Sequence, residues 1–313
     1  MKLTSAKSLA FAAILSATLM LSLAYYWPIQ EAYHPLNPDW NGCSKVANTT
    51  GKTKLLLSYP MQLPNQPSLL AIIGPSTPFT KDETAWIRSF LEAGGTVLLA
   101  DDFGTGNSLL TGLNVSAQFS GKPLADLYYY SKAPRFPLIS VFSPSPITAN
   151  VTTLVLNLPA YIDITNSSRV TKLASSSPFS FVDLNGNGRP SPNETISSYP
   201  VLVDIEIGRG SLILVSDPSM FVNEMIDLYD NMQLFENLLR MGGDLLIFDV
   251  VHLEKAPLTD SRIMLRDDVK LLRDFLFFSK YSVYVQSVIV ALVLVMSFSF
   301  QLIRVAKGRR TGK

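Results

Sequence analysis

Apolar and polar positions follow three rhythms along this chain, and each rhythm predicts a different kind of element. In AWIRSFLEAGGTVLLADD (residues 85–102) apolar side chains first recur at helical spacing: Trp86, Ile87, Phe90 and Leu91. A Gly-Gly pair follows, then a wholly apolar run, then acid. LFENLLRMGGDLLIFDVV (residues 234–251) repeats that order, with Leu234, Phe235, Leu238 and Leu239 on its helix. Gly94 or Gly95 in the first copy, and Gly242 or Gly243 in the second, can adopt the left-handed conformation that closes a helix. TVLLA and LLIFDVV have no polar face, as parallel strands buried on both sides do not. LLAIIG at 69–74 and SLILVSD at 211–217 read the same way. Strands of this type joined by helices predict an α/β fold with a doubly wound, mainly parallel sheet. Thr80, with Glu83 three residues on, predicts a capped helix start. Ser219–Met241 predicts a helical stretch broken near Asp227–Asn231.

The second rhythm is alternation. Residues 137–207 are rich in Ser, Thr, Pro and Asn and carry short alternating runs: ISVFS, TTLVLNL, FSFVD and PVLVDIEI. These predict β-hairpins inserted in the sheet or added to one of its edges. The third rhythm is unbroken apolarity, in Ser8–Trp27 and Tyr281–Ile303. The second of these has no charge over its length and spans roughly 34 Å as a helix, enough for a bilayer core of roughly 30 Å. The expected layout is therefore a membrane anchor or signal segment at 1–27 and an extracytoplasmic domain at 28–260. A juxtamembrane helix at 261–280 and a transmembrane helix at 281–303 follow. The basic tail at 304–313 would be cytoplasmic by the positive-inside rule, and the location the cell membrane.

Charge sharpens this layout. Lys+Arg total 26 and Asp+Glu 25, for a net +1, yet the two ends hold seven of the bases and none of the acids. Residues 8–303 keep 19 bases against 25 acids, a mildly acidic body that argues against a nucleic-acid partner. The single cysteine, Cys43, excludes an internal disulfide. Five N-x-[ST] acceptors, Asn48, Asn114, Asn150, Asn166 and Asn193, lie between the apolar ends, and none has proline in the middle position. Each is competent for N-glycosylation.

PFTKDETAWIRSFLEAGGTVLLADDFGTGNSLL, followed by GRGSLILVSDPSMFVNEMIDLYDN, resembles the DUF4350 family of archaeal and bacterial membrane proteins. NPDWNGCS (Asn37–Ser44) is similar to that family's N-terminal motif. The resemblance implies a fold like the class I glutamine amidotransferases (flavodoxin-like) and no assigned activity. It also implies an envelope protein partner, from a system of a MoxR-type ATPase and a DUF58 protein.

In open α/β sheets ligands bind at the carboxyl ends of the strands. Asp101, Asp102, Gly104, Gly106 and Asn107 follow one strand, Asp217 and Ser219 another, and Asn223 and Asn231 the next helical stretch. They are candidates for a small-ligand or cation site; as alternatives, such residues cap helices and close tight turns. GTGNSL lacks the third glycine of a dinucleotide fingerprint. An amidotransferase needs a thiolate at a strand–helix elbow and a histidine beside it. Cys43 lies before the sheet, and the only imidazoles are His34 and His252, so no catalytic residues are assigned.

DLNGNGRPSPNE (Asp183–Glu194) fits the calcium-loop pattern D-x-[DN]-x-[DN]-G-x5-E. Asp183, Asn185, Asn187, the Arg189 carbonyl and Glu194 would be the ligands, and calcium the cofactor. The alternative is a plain Asn-Gly hairpin turn. The sequence thus points to a non-enzymatic binding or interaction protein of the envelope. The alternatives are an envelope hydrolase using Asp101, Asp102 or Asp217, and an accessory subunit of an ABC-type transport system.

Overall fold

The computed structural model describes residues 11–16, 18–20, 22, 25–166 and 168–278. The chain divides into two compact units, Pro28–Ala256 and the two ends, Met1–Trp27 with Pro257–Lys313.

The larger unit is built on an eight-stranded mixed sheet. Its strands are β1 (Thr53–Leu56), β2 (Ser68–Ile73), β3 (Thr96–Ala100), β4 (Val141–Phe142), β5 (Val170–Ser175), β6 (Pro200–Ile207), β7 (Gly210–Val215) and β8 (Leu245–Asp249). Their order across the sheet is β1-β8-β2-β3-β7-β6-β5-β4. From β1 to β7 every pairing is parallel. From β7 to β4 every pairing is antiparallel. The region rich in Ser, Thr and Pro thus supplies the three strands at one edge of the sheet, and its Ser180–Val182 pairs with Leu124–Asp126 in a short two-stranded sheet.

The apolar runs explain the layers. β2, β3 and β8 are buried at every position, so successive side chains enter opposite cores. Leu69, Ala71, Ile73, Leu98 and Phe248 pack on one side with Leu234, Phe235 and Leu238 of α3 (Asn231–Gly242). Leu70, Ile72, Val97 and Leu99 pack on the other with Ile87, Phe90 and Leu91 of α1 (Lys81–Glu92). α2 (Gly106–Leu113) adds Leu109, Leu110 and Leu113 to that second core. Each fully buried Leu or Ile contributes about 1.5–3 kcal/mol. The sheet is therefore covered on both faces, as a doubly wound fold requires.

Local signals set the boundaries. Thr80 and Glu83 form the full capping box at the start of α1. Of the Gly-Gly pairs, Gly94 (φ +100°) and Gly243 (φ +102°) take the positive φ. The Ser219–Met241 stretch resolves into a 3-10 turn at Pro218–Phe221, a run of turns, and α3.

In the unit formed by the ends, α4 (Thr259–Phe278) carries Asp260, Arg262, Arg266, Asp267, Asp268, Lys270, Arg273 and Asp274 along its length. Arg262 and Arg266 donate to the Trp27 carbonyl, both at 2.6 Å. The expected membrane-spanning helices, and with them the cell-membrane location with an outer domain and an inner tail, are corrected here. Among the described residues no helix is long and apolar enough to cross a membrane. α4 has the length for it, but its charges rule it out. Residues 281–303 and 304–313 lie outside the described residues, as do parts of 1–27.

Candidate functional site

The parallel strands carry their chemistry at their carboxyl ends. The chain leaves β3 toward α2 on one face and leaves β7 toward α3 on the other. The gap between β3 and β7 is thus a topological switch point, where open α/β sheets form crevices. Asp101 and Asp102 follow β3, and Asp217 and Ser219 follow β7, so the fold brings these four together. The Asp101 amide donates to the Val215 carbonyl at 3.0 Å, which locks the two strand ends side by side.

The carboxylates differ in how their oxygens are used. Asp101 Oδ1 accepts from the Gly104 amide at 3.1 Å, and Oδ2 from the Gly106 amide at 2.7 Å. A Cβ at Gly104 or Gly106 would sit 2.6 or 2.7 Å from an Asp101 oxygen, so the loop needs glycine at both positions. Asp217 is fully buried; Oδ1 accepts from the Ser219 amide at 2.7 Å and Oδ2 from the Asn157 amide at 2.6 Å. Half-buried Asp102 accepts from the Phe103 amide at Oδ1, at 2.6 Å, and among the described residues no other residue donates to its Oδ2.

Burial disfavours charge on all three. Asp101 is raised above the ordinary carboxylate range chiefly by burial, against the pull of its backbone donors. Burial and the neighbouring charge of Asp101 push Asp102 to about 6. Burial pushes Asp217 to about 8, and the charge of Asp102 adds to it. Tyr33 completes the group. Its hydroxyl lies 3.4 Å from Ser219 Oγ, and its ring covers Gly74, where a Cβ would come within 2.4 Å of ring carbon. Burial raises its phenol, and Asp102 and Asp217 raise it further. Nothing in the sequence around Tyr33 pointed to this position.

The remaining candidates serve as latches. Asn107 exchanges a pair of hydrogen bonds with the Phe119 backbone, at 2.8 and 2.9 Å. Asn223 donates to the Asn37 and Asp39 carbonyls and accepts from the Lys45 amide, so it holds the NPDWNGCS segment. Asn231 donates to the Val155 and Met225 carbonyls and accepts from the Val155 amide. Cys43 is fully buried, and burial drives its thiol far above the usual range, which disfavours the thiolate.

A second polar cluster lies at the end of β8. His252 is 2% exposed. Its Nδ1 lies 2.7 Å from Asp249 Oδ2, its Nε2 lies 3.5 Å from Glu83 Oε2, and its ring stacks on Phe79. The Tyr59 hydroxyl donates to the same Asp249 oxygen at 2.7 Å.

In the 183–194 loop, Asp183 accepts from the Asn187 and Gly188 amides at 3.1 and 2.9 Å. Glu194 accepts from the Leu184 and Ser191 amides at 2.8 and 2.7 Å. Asn185 and Asn187 accept from the Asn187 and Arg189 amides. The donor set is all oxygen, which suits calcium, and each carboxylate oxygen keeps a further lone pair. Strand residues rather than a helix precede the loop. Among the described residues no three His, Cys, Asp or Glu side chains converge to hold a metal. All five glycosylation-acceptor asparagines, Asn48, Asn114, Asn150, Asn166 and Asn193, are exposed.

Structural comparison finds distant likenesses. The mmIFT52 N-terminal domain superposes with a TM-score of 0.44 at 18% identity, over 56% of this chain and 78% of that one. A β-galactosidase from Bacillus circulans sp. alkalophilus gives 0.31 at 11%, over 55% of this chain, which spans only 22% of the galactosidase. Cytoplasmic Protein STM1381 from Salmonella typhimurium LT2 gives 0.35 at 12%, over 51% and 60%. Comparison with curated proteins gives no match. A family model does match, over residues 35–239, which is more than half of the chain: this protein belongs to the DUF4350 family, a domain of unknown function.

Proposed function

We propose that the domain is a non-catalytic binding module whose ligand contacts the carboxyl ends of β3 and β7, with Asp102, Tyr33 and Ser219 as the recognising groups. The supporting observation is the use of the carboxylate oxygens. Both oxygens of Asp101 and both of Asp217 accept backbone amides, which fixes the two carboxylates as acceptors for their own loops. Asp102, at a half-buried position, keeps one oxygen to which no other described residue donates. An acceptor carboxylate beside two hydroxyls suits a ligand carrying an amine or several hydroxyls.

One observation favours the hydrolase reading: the environments of Asp102 and Asp217 push them apart, to about 6 and about 8, as an acid–base pair requires. Full burial of Asp217 weighs against it, because a general acid must reach the substrate.

The test is a thermal-shift titration of the full chain with spermidine and with myo-inositol, on wild type and Asp102→Asn. The reading expects a saturable stabilisation by one probe that Asp102→Asn abolishes, and no turnover of chromogenic glycosides or amides. Turnover lost in Asp102→Asn would establish the hydrolase instead.

A further inference from the structure

A second concave surface lies away from the carboxyl ends of β3 and β7. It is an open groove of 510 Å³ on the β-rich region, lined by the 120–122 turn, the 161–164 strand, β5 and the 182–200 segment. Three features of its lining point to one ligand chemistry.

The first is aromatic. Tyr161 and Tyr199 form a tilted pair with ring centroids 4.8 Å apart. The Tyr199 hydroxyl donates to the Thr195 carbonyl at 2.7 Å, which fixes that ring. The half-buried pair presents ring surface to the groove, on which an apolar C–H face can be buried.

The second is cationic. Lys122 and Lys172 both line the groove and are exposed, and neither forms an ion pair with an acid among the described residues. The third is an acceptor. Asp163 is exposed in the groove and its carboxylate takes no hydrogen bond among the described residues, whereas the Glu194 carboxylate is committed to backbone amides.

A ligand that satisfies all three carries an apolar ring face for the tyrosines, an anion for the lysines and hydroxyl donors for Asp163. A compact phosphate lacks the ring face and would meet repulsion at Asp163. A neutral sugar leaves both lysines unused. We propose that this groove binds a short acidic saccharide of the uronic-acid type. The volume is that of a site for a drug-sized molecule, and an open groove lets the saccharide run past both ends. Asn193 also lines it, so a glycan on Asn193 would occupy or crowd the same space.

The test uses the full chain made without glycosylation and trigalacturonate as the probe, followed by calorimetric titration. Saturable binding is expected, weakened by about tenfold or more in the double variant Lys122→Ala/Lys172→Ala and by a similar factor in Asp163→Asn. Cellotriose should bind about tenfold more weakly than trigalacturonate. These variants are at exposed positions, so circular dichroism should show the wild-type fold. No heat up to about 10 mM trigalacturonate would overturn the proposal. Equal affinity for cellotriose, or displacement by inorganic phosphate, would overturn it too, leaving an aromatic or a purely anionic surface. The outcome is independent of Asp102 and so separate from the test of the sheet-edge site.

Discussion

Two acid clusters sit at the carboxyl end of the same parallel sheet, and the fold treats them in opposite ways. At β3 and β7, Asp101, Asp102 and Asp217 form no ion pair among the described residues, and they and Tyr33 are all pushed up by burial. At β8, an imidazole lies between Asp249 and Glu83, and Glu83 is held below the ordinary range by its Thr80 hydrogen bonds and by His252, against the effect of burial. Strand-end position alone therefore does not set acid chemistry. A partner for the charge does. In the β8 cluster the carboxylates share a nearly fully buried imidazole, while at β3 and β7 burial disfavours charge on all three acids and no other described residue donates to Asp102 Oδ2.

The largest effect that would break this contrast is removal of the imidazole. His252→Ala leaves a buried carboxylate on Asp249 without its ring partner and opens a hole beneath Phe79. A buried acceptor left without a partner costs about 1–3 kcal/mol, and the cavity left by the ring adds to it. Urea denaturation should show that loss; a cost below about 1 kcal/mol would mean that the ring carries little of the cluster's stability. Asn in place of His252 keeps a donor toward Asp249 and should recover part of the loss.

The second effect is a difference in sign with pH. Asp217 holds its proton more tightly folded than unfolded, because its folded value of about 8 lies above the ordinary 3.8. The folded state therefore binds more protons across that window, and stability falls as pH rises from 3.8 through about 8. Asp102 contributes in the same direction up to about 6. Glu83 has the opposite sign: its folded value is lowered, so its contribution is present above its unfolded value and is lost as pH falls. Asp217→Asn replaces one acceptor with a donor facing a backbone amide, at a cost of about 1–3 kcal/mol. It should also flatten the decline between about pH 5 and about pH 8 seen in wild type by denaturant midpoints. An unchanged slope would show that Asp217 is ionised throughout.

How much of this could be read from the sequence follows from burial. β2, β3, β7 and β8 stood out because strands covered on both faces are apolar at nearly every position. β1 (TKLL) and β5 (VTKLAS) did not, because an outer strand and a half-exposed strand carry lysine and threonine on their open sides. The break in the helical stretch before Asn231 was visible because Asp, Tyr and Asn punctuate it. The strand-end acids were visible by their position after apolar runs, but not how their oxygens are used, since that depends on Gly104, Gly106, Asn157 and Ser219 arriving from separate segments. Tyr33 and the Glu83–His252 contact had no local signal: each joins residues far apart in sequence. The groove was hidden for the same reason, being assembled from four short segments that each read as turn or edge.

The smallest effect concerns a third acid environment, the loop from Asp183 to Glu194, where the partners are backbone amides alone. Asp183 accepts two of them and Glu194 two more, so the loop is organised as a shell of N–H donors around two carboxylates. Asp183→Ala removes the acceptor for the Asn187 and Gly188 amides, at a cost of about 1–2 kcal/mol. If the remaining lone pairs also hold calcium, a cation that binds only the folded loop stabilises it by mass action, by about 1.4 kcal/mol at ten times its dissociation constant. Calcium at a few millimolar should then raise the melting temperature of wild type, chelation should reverse the rise, and Asp183→Ala and Glu194→Gln should abolish it. Magnesium should not substitute, because it demands a tighter octahedral shell than a loop of amide-anchored carboxylates offers. An unchanged melting temperature in calcium, with Asp183→Ala still destabilised, would make the loop a hydrogen-bonded turn. The domain would then hold three acid clusters: one partnered by imidazole, and two held by backbone amides, of which only that at β3 and β7 keeps a carboxylate oxygen, on Asp102, that takes no hydrogen bond from another described residue.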